Sequence, residues 1–304
     1  MNKNDNRQKR LEYTYIFKIN KSSFLLEFLL EKLPLSRNSV KSILSSHKVL
    51  VNGLVITRFD FPLAKDDEVK ILKNRVDIIK NNNIDSNYKL DIIFENDDYI
   101  AINKRAGLLS IESDKEIESA YYYVSKYLSK KNPKLRPYIL HRIDKETSGV
   151  LLFAKDIKLH SKLKMHWNED VKVREYYALV EGVLEEKEGT IKSYLKLNAN
   201  NLVYSTKDPN GKKAITRYKV INENKEYSLL KVEIDTGRKN QIRVHMHDLG
   251  HPIVFDEKYG YTKNPIGRLG LHASKLVFYD INKGEDIEIT APIPKEFKMV
   301  FKKI

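Results

Sequence analysis

The chain contains no cysteine in 304 residues, which excludes disulfides, thiolate zinc sites and thiol nucleophiles and fits a reducing compartment. It also lacks a long apolar run. The longest, Phe24 to Leu30, is interrupted by Glu27 and is far too short to cross a bilayer. Met1 to Arg10 is polar and charged with no signal-peptide core behind it, so a soluble cytoplasmic protein is expected. No internal repeat of solenoid spacing is found. Acid is in deficit: 41 Asp+Glu face 55 Lys+Arg, a net charge of +14, with a pI near 9.4. Such a balance points toward polyanions, although lysine-rich surfaces also serve solubility. A hydrophobic fraction of 41% with 32% charged residues is that of a folded chain with a solvated exterior. The length allows about two domains.

Two regions separate along the chain. Ser23 to Leu33 carries apolar residues at helical spacing and stops at Pro34. A second helix is predicted from Ser36, whose hydroxyl can cap the turn containing Ser39, with Val40, Ile43 and Leu44 on one face and Arg37 and Lys41 on another. Val49–Val51 and Leu54–Ile56 flank Asn52-Gly53 as a hairpin, and Glu68 to Leu72 closes the region as a strand. Residues 1–80 hold 16 Lys+Arg against 9 Asp+Glu, half of the total net charge. They are predicted as one small domain, 81–89 as an asparagine-rich linker and 90–304 as a second, larger domain. In the last, strands are predicted at Leu90–Phe94, Tyr99–Asn103, Tyr176–Val180, Ile191–Leu197, Thr216–Ile221, Ser228–Ile234, Ser274–Phe278 and Asp286–Ile289. Helices are predicted at Ile117–Leu128, Ile157–Trp167 and Asn240–Leu249, the last closed by Gly250. The pattern is α+β around a largely antiparallel sheet.

The most informative segment runs from Tyr138 to Phe153. Two apolar strands enclose a polar loop, His141-Arg142-Ile143-Asp144-Lys145-Glu146-Thr147-Ser148-Gly149, that holds carboxylates, cations, hydroxyls and a glycine. Loops held between rigid strands are where active-site groups tend to sit, yet such a loop read alone is more often a surface turn with a charge pair.

This loop resembles the His-Arg-Leu-Asp-x-x-Thr-Ser-Gly signature of the RluA-type pseudouridine synthases. Asn103-Lys104-Arg105-Ala106-Gly107-Leu108, Arg174-Glu175-Tyr176-Tyr177-Ala178 and Thr236-Gly237-Arg238-Lys239-Asn240-Gln241-Ile242-Arg243-Val244-His245 are similar to further segments of that family, in the family's order. Gly250-His251-Pro252-Ile253 and Leu271-His272-Ala273 extend the likeness over nearly all of residues 90–295. The N-terminal region is similar to S4 RNA-binding domains through Leu35-Ser36-Arg37-Asn38-Ser39-Val40 and Val49-Leu50-Val51-Asn52-Gly53. The implied architecture is a small S4-like α/β domain ahead of a synthase domain on a mixed, largely antiparallel sheet.

The resemblance implies that Asp144 is the nucleophile, Arg243 its ion-pair partner and Tyr176 a ring packed on the target base. It further implies substrate contacts from His141, Arg142, Thr147, Gly237 and Arg238, and RNA contacts from Arg37 and Lys41. The chemistry suits these types: an ionised carboxylate can attack the ribose C1′ or the uracil C6, and a guanidinium favours its charged form. The target base must leave its stack, and the resemblance implies that Arg142 fills the vacated space. No cofactor or metal is implied. RNA is the expected partner, ribosomal RNA favoured over transfer RNA, with no membrane or protein partner and a monomeric state. Arg105, Asn240 and Phe255 depart from the family's usual proline, histidine and glycine. These departures are expected to bear on loop geometry and target choice, away from Asp144, Tyr176 and Arg243.

Three rival readings are weighed. A metal site among His245, His247, Asp248 and His251 is disfavoured, since His245 and His247 project about 200° apart on a helix. A glycosidase is disfavoured for want of a second acid near Asp144, Glu146 having no evident orienting partner. The serious alternative is a catalytically weak RNA-binding or assembly factor on the same fold, and retention of Asp144, Tyr176 and Arg243 together argues against it.

Overall fold

The computed structural model describes residues 12–46, 48–52, 54–56, 59, 61–63, 65–73, 88–113, 116, 118–132, 135–260 and 263–301. Most of the predicted linker, with Gly53 and Ile117, lies outside the described residues. The chain divides into two compact units, residues 1–86 with 111–118 and residues 87–110 with 119–304.

The first unit contains β1 (Tyr13–Lys18), β2 (Ser23–Phe24), α1 (Leu25–Lys32), α2 (Arg37–Ser45), β3 (Val49–Val51), β4 (Leu54–Val55), β5 (Pro62–Leu63) and β6 (Glu68–Leu72). Its main sheet is antiparallel in the order β1-β6-β3-β4, and β2 pairs with β5. The Ser36 hydroxyl accepts from Ser39 N–H at 3.2 Å, the predicted cap of α2. Leu25 and Leu29 of α1, Val40 and Leu44 of α2, and Val49, Val69 and Ile71 of the sheet form one core. Arg37 and Lys41 remain exposed on α2, Lys41 with its ammonium over the Phe59 ring. Strand β1 escapes periodicity analysis because it lies at the sheet edge with most side chains in solvent.

The second unit contains β7 (Ile92–Glu95), β8 (Tyr99–Lys104), α3 (Ala120–Lys131), β9 (Tyr138–Ile139), β10 (Ser148–Ala154), α4 (Ile157–Met165), α5 (Trp167–Asp170), β11 (Val171–Glu181), β12 (Glu188–Leu197), β13 (Val203–Thr206), β14 (Lys212–Glu223), β15 (Tyr227–Ile234), α6 (Gln241–Asp248), β16 (Leu271–Asp280), β17 (Glu285–Thr290) and α7 (Lys295–Met299). The sheet runs β13-β12-β14-β15-β11-β16-β10-β8-β7, with β17 on β16 and β9 on β10. Every pairing among the described strands of this sheet is antiparallel except β10 with β16. The architecture is α+β, as predicted, with the helix over 157–167 broken into two at His166.

Strand β10 is buried at all seven positions because both edges are paired and both faces covered, which is why Gly149 to Phe153 reads as an unbroken apolar run. Its parallel register sets Gly149 against Ala273. A Cβ at Gly149, where φ is +111°, would lie 2.1 Å from the Ala273 carbonyl oxygen, so this position accepts only glycine. Among the described residues no helix is long and apolar enough to cross a membrane.

Two buried histidines tie the sheet together in neutral form. His245 meets the Thr216 hydroxyl at 2.8 Å and the Ser193 hydroxyl at 2.9 Å, which accounts for it as a structural residue. His272 meets the Ser148 hydroxyl at 2.7 Å. Burial draws both pKa values down to about 4, opposed at His245 by Asp248 and at His272 by the Ala291 backbone. Below the unfolded value of about 6.5 the unfolded chain binds protons that the folded chain refuses, so stability falls from there toward pH 4. Each group should contribute a loss approaching about 1.4 kcal/mol per pH unit in that window. Urea midpoints measured between about pH 7 and pH 5 should decline less steeply in His245→Gln than in the parent chain. Parallel declines would show that His245 is already protonated in the fold.

Candidate active site

Asp144 sits in a loop whose backbone is fixed from the neighbouring strand end. Thr147 N–H donates to the Asp144 carbonyl at 3.1 Å and closes the turn. The Ser110 hydroxyl donates to the Ile143 carbonyl at 2.7 Å. Lys104, fully buried at the end of β8, donates its ammonium to the carbonyls of Arg105, Leu108 and Lys145 at 3.0, 2.7 and 2.9 Å. Gly107 N–H also donates to Lys145 O, at 2.9 Å. The 103–108 segment is therefore a clamp on the loop. Burial lowers the Lys104 pKa to about 7, with the nearby Glu146 carboxylate working against that fall.

Arg243 reaches Asp144 from the first turn of α6. Gln241 anchors the segment before it: its Oε1 accepts from the Thr236 hydroxyl (2.8 Å) and Arg238 N–H (3.1 Å), and its Nε2 donates to Ile215 O (2.9 Å) and to the Thr216 hydroxyl (3.0 Å). Six successive residues, Gln241 to Met246, are buried, so the helix has little freedom to shift. Arg243 Nη1 lies 3.6 Å from Asp144 Oδ2. Its shorter bonds go to Asp256, from Nε at 2.8 Å and from Nη2 at 2.6 Å. Burial works against the charged guanidinium, yet Asp256 and Asp144 together hold its pKa above the ordinary value. The expected pair of Asp144 and Arg243 is thus one half of a two-carboxylate arrangement.

Asp256 corrects the expectation that no second acid lies near Asp144. It is fully buried, and its Oδ1 also accepts from the N–H groups of Lys258 (3.1 Å) and Tyr259 (3.2 Å). The turn that brings it there includes Phe255 at φ 55°, in the left-handed region. Every oxygen of Asp256 is committed to Arg243 or to this turn, an arrangement suited to fixing a cation and not to proton exchange with a sugar.

Asn240 supplies a second correction. With its amide turned so that each atom meets a complementary partner, Nδ2 donates to Asp144 Oδ2 at 2.9 Å, while Oδ1 accepts from Lys258 Nζ and the Tyr259 hydroxyl, both at 3.1 Å. The departure at Asn240 therefore touches Asp144 directly. The backbone helps, because Asn240 has φ 54° and asparagine tolerates that conformation better than most residues. Lys258 beside it has a pKa lowered by burial and by the neighbouring cations Lys239 and Arg243. The departure at Arg105 places its guanidinium over the Tyr88 ring, 4.4 Å from the centroid.

Tyr176 lies in the middle of β11, where the pairing with β16 slips between Glu175 and Tyr176. Such irregularities re-aim a side chain. Tyr176 packs with the cluster that contains Ile242 and Met246, and Tyr177 with the cluster across the sheet that contains Phe297. Burial and the Asp144 charge outweigh the opposing effect of Arg174 and push its hydroxyl up to about 12, so it remains a neutral phenol. Asp144, Arg243 and Tyr176 come together from three distant segments.

The remaining predicted residues divide. His141 Nε2 accepts from Leu152 N–H at 3.2 Å and the ring stacks on Trp167. Burial, with Arg174 and Lys164, lowers its pKa to about 3, so it is a neutral strut under the loop. Thr147 is buried in the loop turn. Arg142 is exposed next to Asp144. Arg238 is exposed, with Nε donating to Lys213 O at 3.1 Å. A Cβ at Gly237 would come within 3.0 Å of Arg174 Nη1. Arg37 and Lys41 belong to the first unit.

Residues 98–248 match the RNA pseudouridylate synthase family. The chain is 33% identical over 249 residues to the ribosomal large subunit pseudouridine synthase D of Borreliella burgdorferi, covering 78% of this chain and 75% of the relative. It is 29% identical over 280 residues to the protein of the same name from Haemophilus ducreyi, covering 86% and 84%. Among solved structures, human RNA pseudouridylate synthase domain containing 1 superposes with a TM-score of 0.57 at 25% identity, covering 68% of this chain and 84% of that one. With the mixed, mostly antiparallel sheet and the loop of residues 141–149 in place, these likenesses agree: the chain belongs to the RNA pseudouridine synthases and is an isomerase.

Proposed function

We propose that this enzyme converts uridine to pseudouridine in large-subunit ribosomal RNA, with Asp144 as nucleophile, Arg243 as its ion-pair partner and Tyr176 packed on the target base. One observation carries the reading: the Asp144 carboxylate is one-third exposed and faces a guanidinium that is itself locked on a buried carboxylate. A partly open carboxylate beside a fixed cation can attack carbon, whereas a carboxylate serving only the fold would be enclosed by its partners. Asp144 adds to the ribose C1′ or the uracil C6, the N1–C1′ bond breaks, and the uracil turns within the site. C5 then bonds to C1′, the carboxylate is released, C5 gives up its proton and N1 gains one. Atoms balance with no external reactant. Exposed Arg142 fills the space that the extruded nucleotide leaves.

The first unit, spanning the predicted domain of residues 1–80, is read as an S4-like module that grips RNA phosphates through Arg37 and Lys41 on the exposed face of α2. Relatives named for the ribosomal large subunit support the choice of RNA. Pseudouridine mapping of large-subunit ribosomal RNA and transfer RNA, in cells with and without the gene, should show sites lost from the ribosomal RNA alone. Loss confined to transfer RNA would overturn the choice of RNA, and no loss in either would favour a binding or assembly role.

A further inference from the structure

At the far end of α6 from Asp144, the sheet edge and the helix enclose a groove of about 710 Å³ that the reaction does not use. Its walls are β12 and the short edge strand β13, with the start of β14 and the last residue of α6. Three exposed lysines, Lys192, Lys207 and Lys213, line it against a single acid, Asp248. Among the described residues none of these three ammonium groups makes an ion pair, although ion pairs are common elsewhere on this surface. Half-buried Tyr194 and Ser193 line the same groove. A groove with net positive charge, unpaired ammonium groups and neutral ring and hydroxyl surface fits a sugar–phosphate backbone.

Its placement agrees. The eight residues of α6 span about 12 Å, from Asn240, which touches Asp144, to Asp248 in the groove. Exposed Arg238, two residues before Asn240, holds the carbonyl of Lys213 in the groove through its Nε. The groove thus connects to the active site through α6 and through the Arg238–Lys213 bond. We infer that this groove binds the RNA backbone flanking the target uridine, as a phosphate-holding subsite of the catalytic unit. The inference rests on the reading of Asp144 as the nucleophile acting on that uridine. An acidic protein segment is the other polyanion that could enter, but the link from the groove through Lys213 and Arg238 to Asn240 beside Asp144 favours the substrate strand.

The test replaces Lys192, Lys207 and Lys213 together by glutamine in the full-length chain. A control replaces Lys126, Lys225 and Lys283, equally exposed and removing the same net charge. Affinity for a fluorescein-labelled stem-loop RNA with unpaired uridines in its loop is measured by anisotropy across a salt titration. Three lost phosphate contacts should flatten the log–log salt slope by roughly 2 to 3 units, at 0.7 to 0.9 for each, and the control triple by less than one. Turnover at saturating RNA should be unchanged in the control triple, and the melting curves of both triples should coincide with that of the parent. Equal slopes for the two triples would overturn the subsite. So would a groove variant that keeps its RNA affinity but loses binding to an oligo-glutamate peptide. A parent chain that forms no pseudouridine in any RNA would instead sink the role of Asp144, and the slopes would still decide whether the groove holds phosphate.

Discussion

Asp144→Asn lowers the rate of isomerisation by at least about a thousandfold and leaves RNA affinity within a few-fold of the parent, because it replaces an anionic oxygen nucleophile by a neutral, weakly nucleophilic amide without changing the volume of the side chain. The fold should tolerate it. The loop around Asp144 is set by bonds to its backbone, from Thr147, Ser110 and Lys104, and none of these uses the carboxylate. The asparagine can still meet Asn240 through its carbonyl oxygen, whereas its amide cannot reproduce the attraction between the carboxylate and Arg243. Single-turnover assays on a ribosomal RNA fragment, read by pseudouridine-specific chemistry, separate the chemical step from binding. Turnover at a substantial fraction of the parent rate would remove Asp144 from the nucleophile's role. A parallel loss of affinity would mean that the carboxylate organises the RNA site as well.

Asp144, Tyr176 and Arg243 are legible in the sequence because each sits in a run of residues whose types and order carry a recognisable pattern. Physical reasoning alone explains less. Tyr176 is one of eighteen tyrosines, and the slip in strand pairing that aims it leaves no mark in composition or periodicity. Long strands and helices with one buried face were predictable, while β1 and β13 were not, since edge strands keep little of the alternation that burial imposes. The support around Asp144 was also hidden. Asp256 lies thirteen residues beyond Arg243 and meets it only because α6 stops at Asp248, ahead of Gly250, and the chain turns back through Phe255. Asn240 looked remote from the chemistry because its side chain faces Asp144 only once residues 236–241 are pinned by Gln241. Sequence could have pointed to Asp256 through one signal: a buried arginine in a helix requires a counter-charge, and the next segment offers an acid in a turn.

That counter-charge makes the other large effect predictable. Arg243→Met should slow the reaction by about 10²-fold or more with little change in affinity, as expected for loss of one charge-stabilising group beside the reacting atoms. It also leaves the fully buried Asp256 without its cation. Breaking a buried pair from one side costs about 3 to 5 kcal/mol, so the variant should melt well below the parent. Asp256→Asn attacks the same pair from the other side. Asp256 touches no substrate in this reading and acts as a positioning residue, so its loss should lower kcat while leaving KM nearly unchanged, by freeing Arg243 to move from its fixed place toward Asp144. The double variant Arg243→Met with Asp256→Asn carries neither buried charge. It should recover part of the stability lost in either single variant, since an uncompensated buried charge costs more than an apolar and a neutral side chain in its place. It should recover none of the activity. Melting temperatures and single-turnover rates of the four proteins test both halves: additive destabilisation would show that the two charges are not coupled, and activity regained in the double variant would show that Arg243 serves the fold and not the chemistry at Asp144.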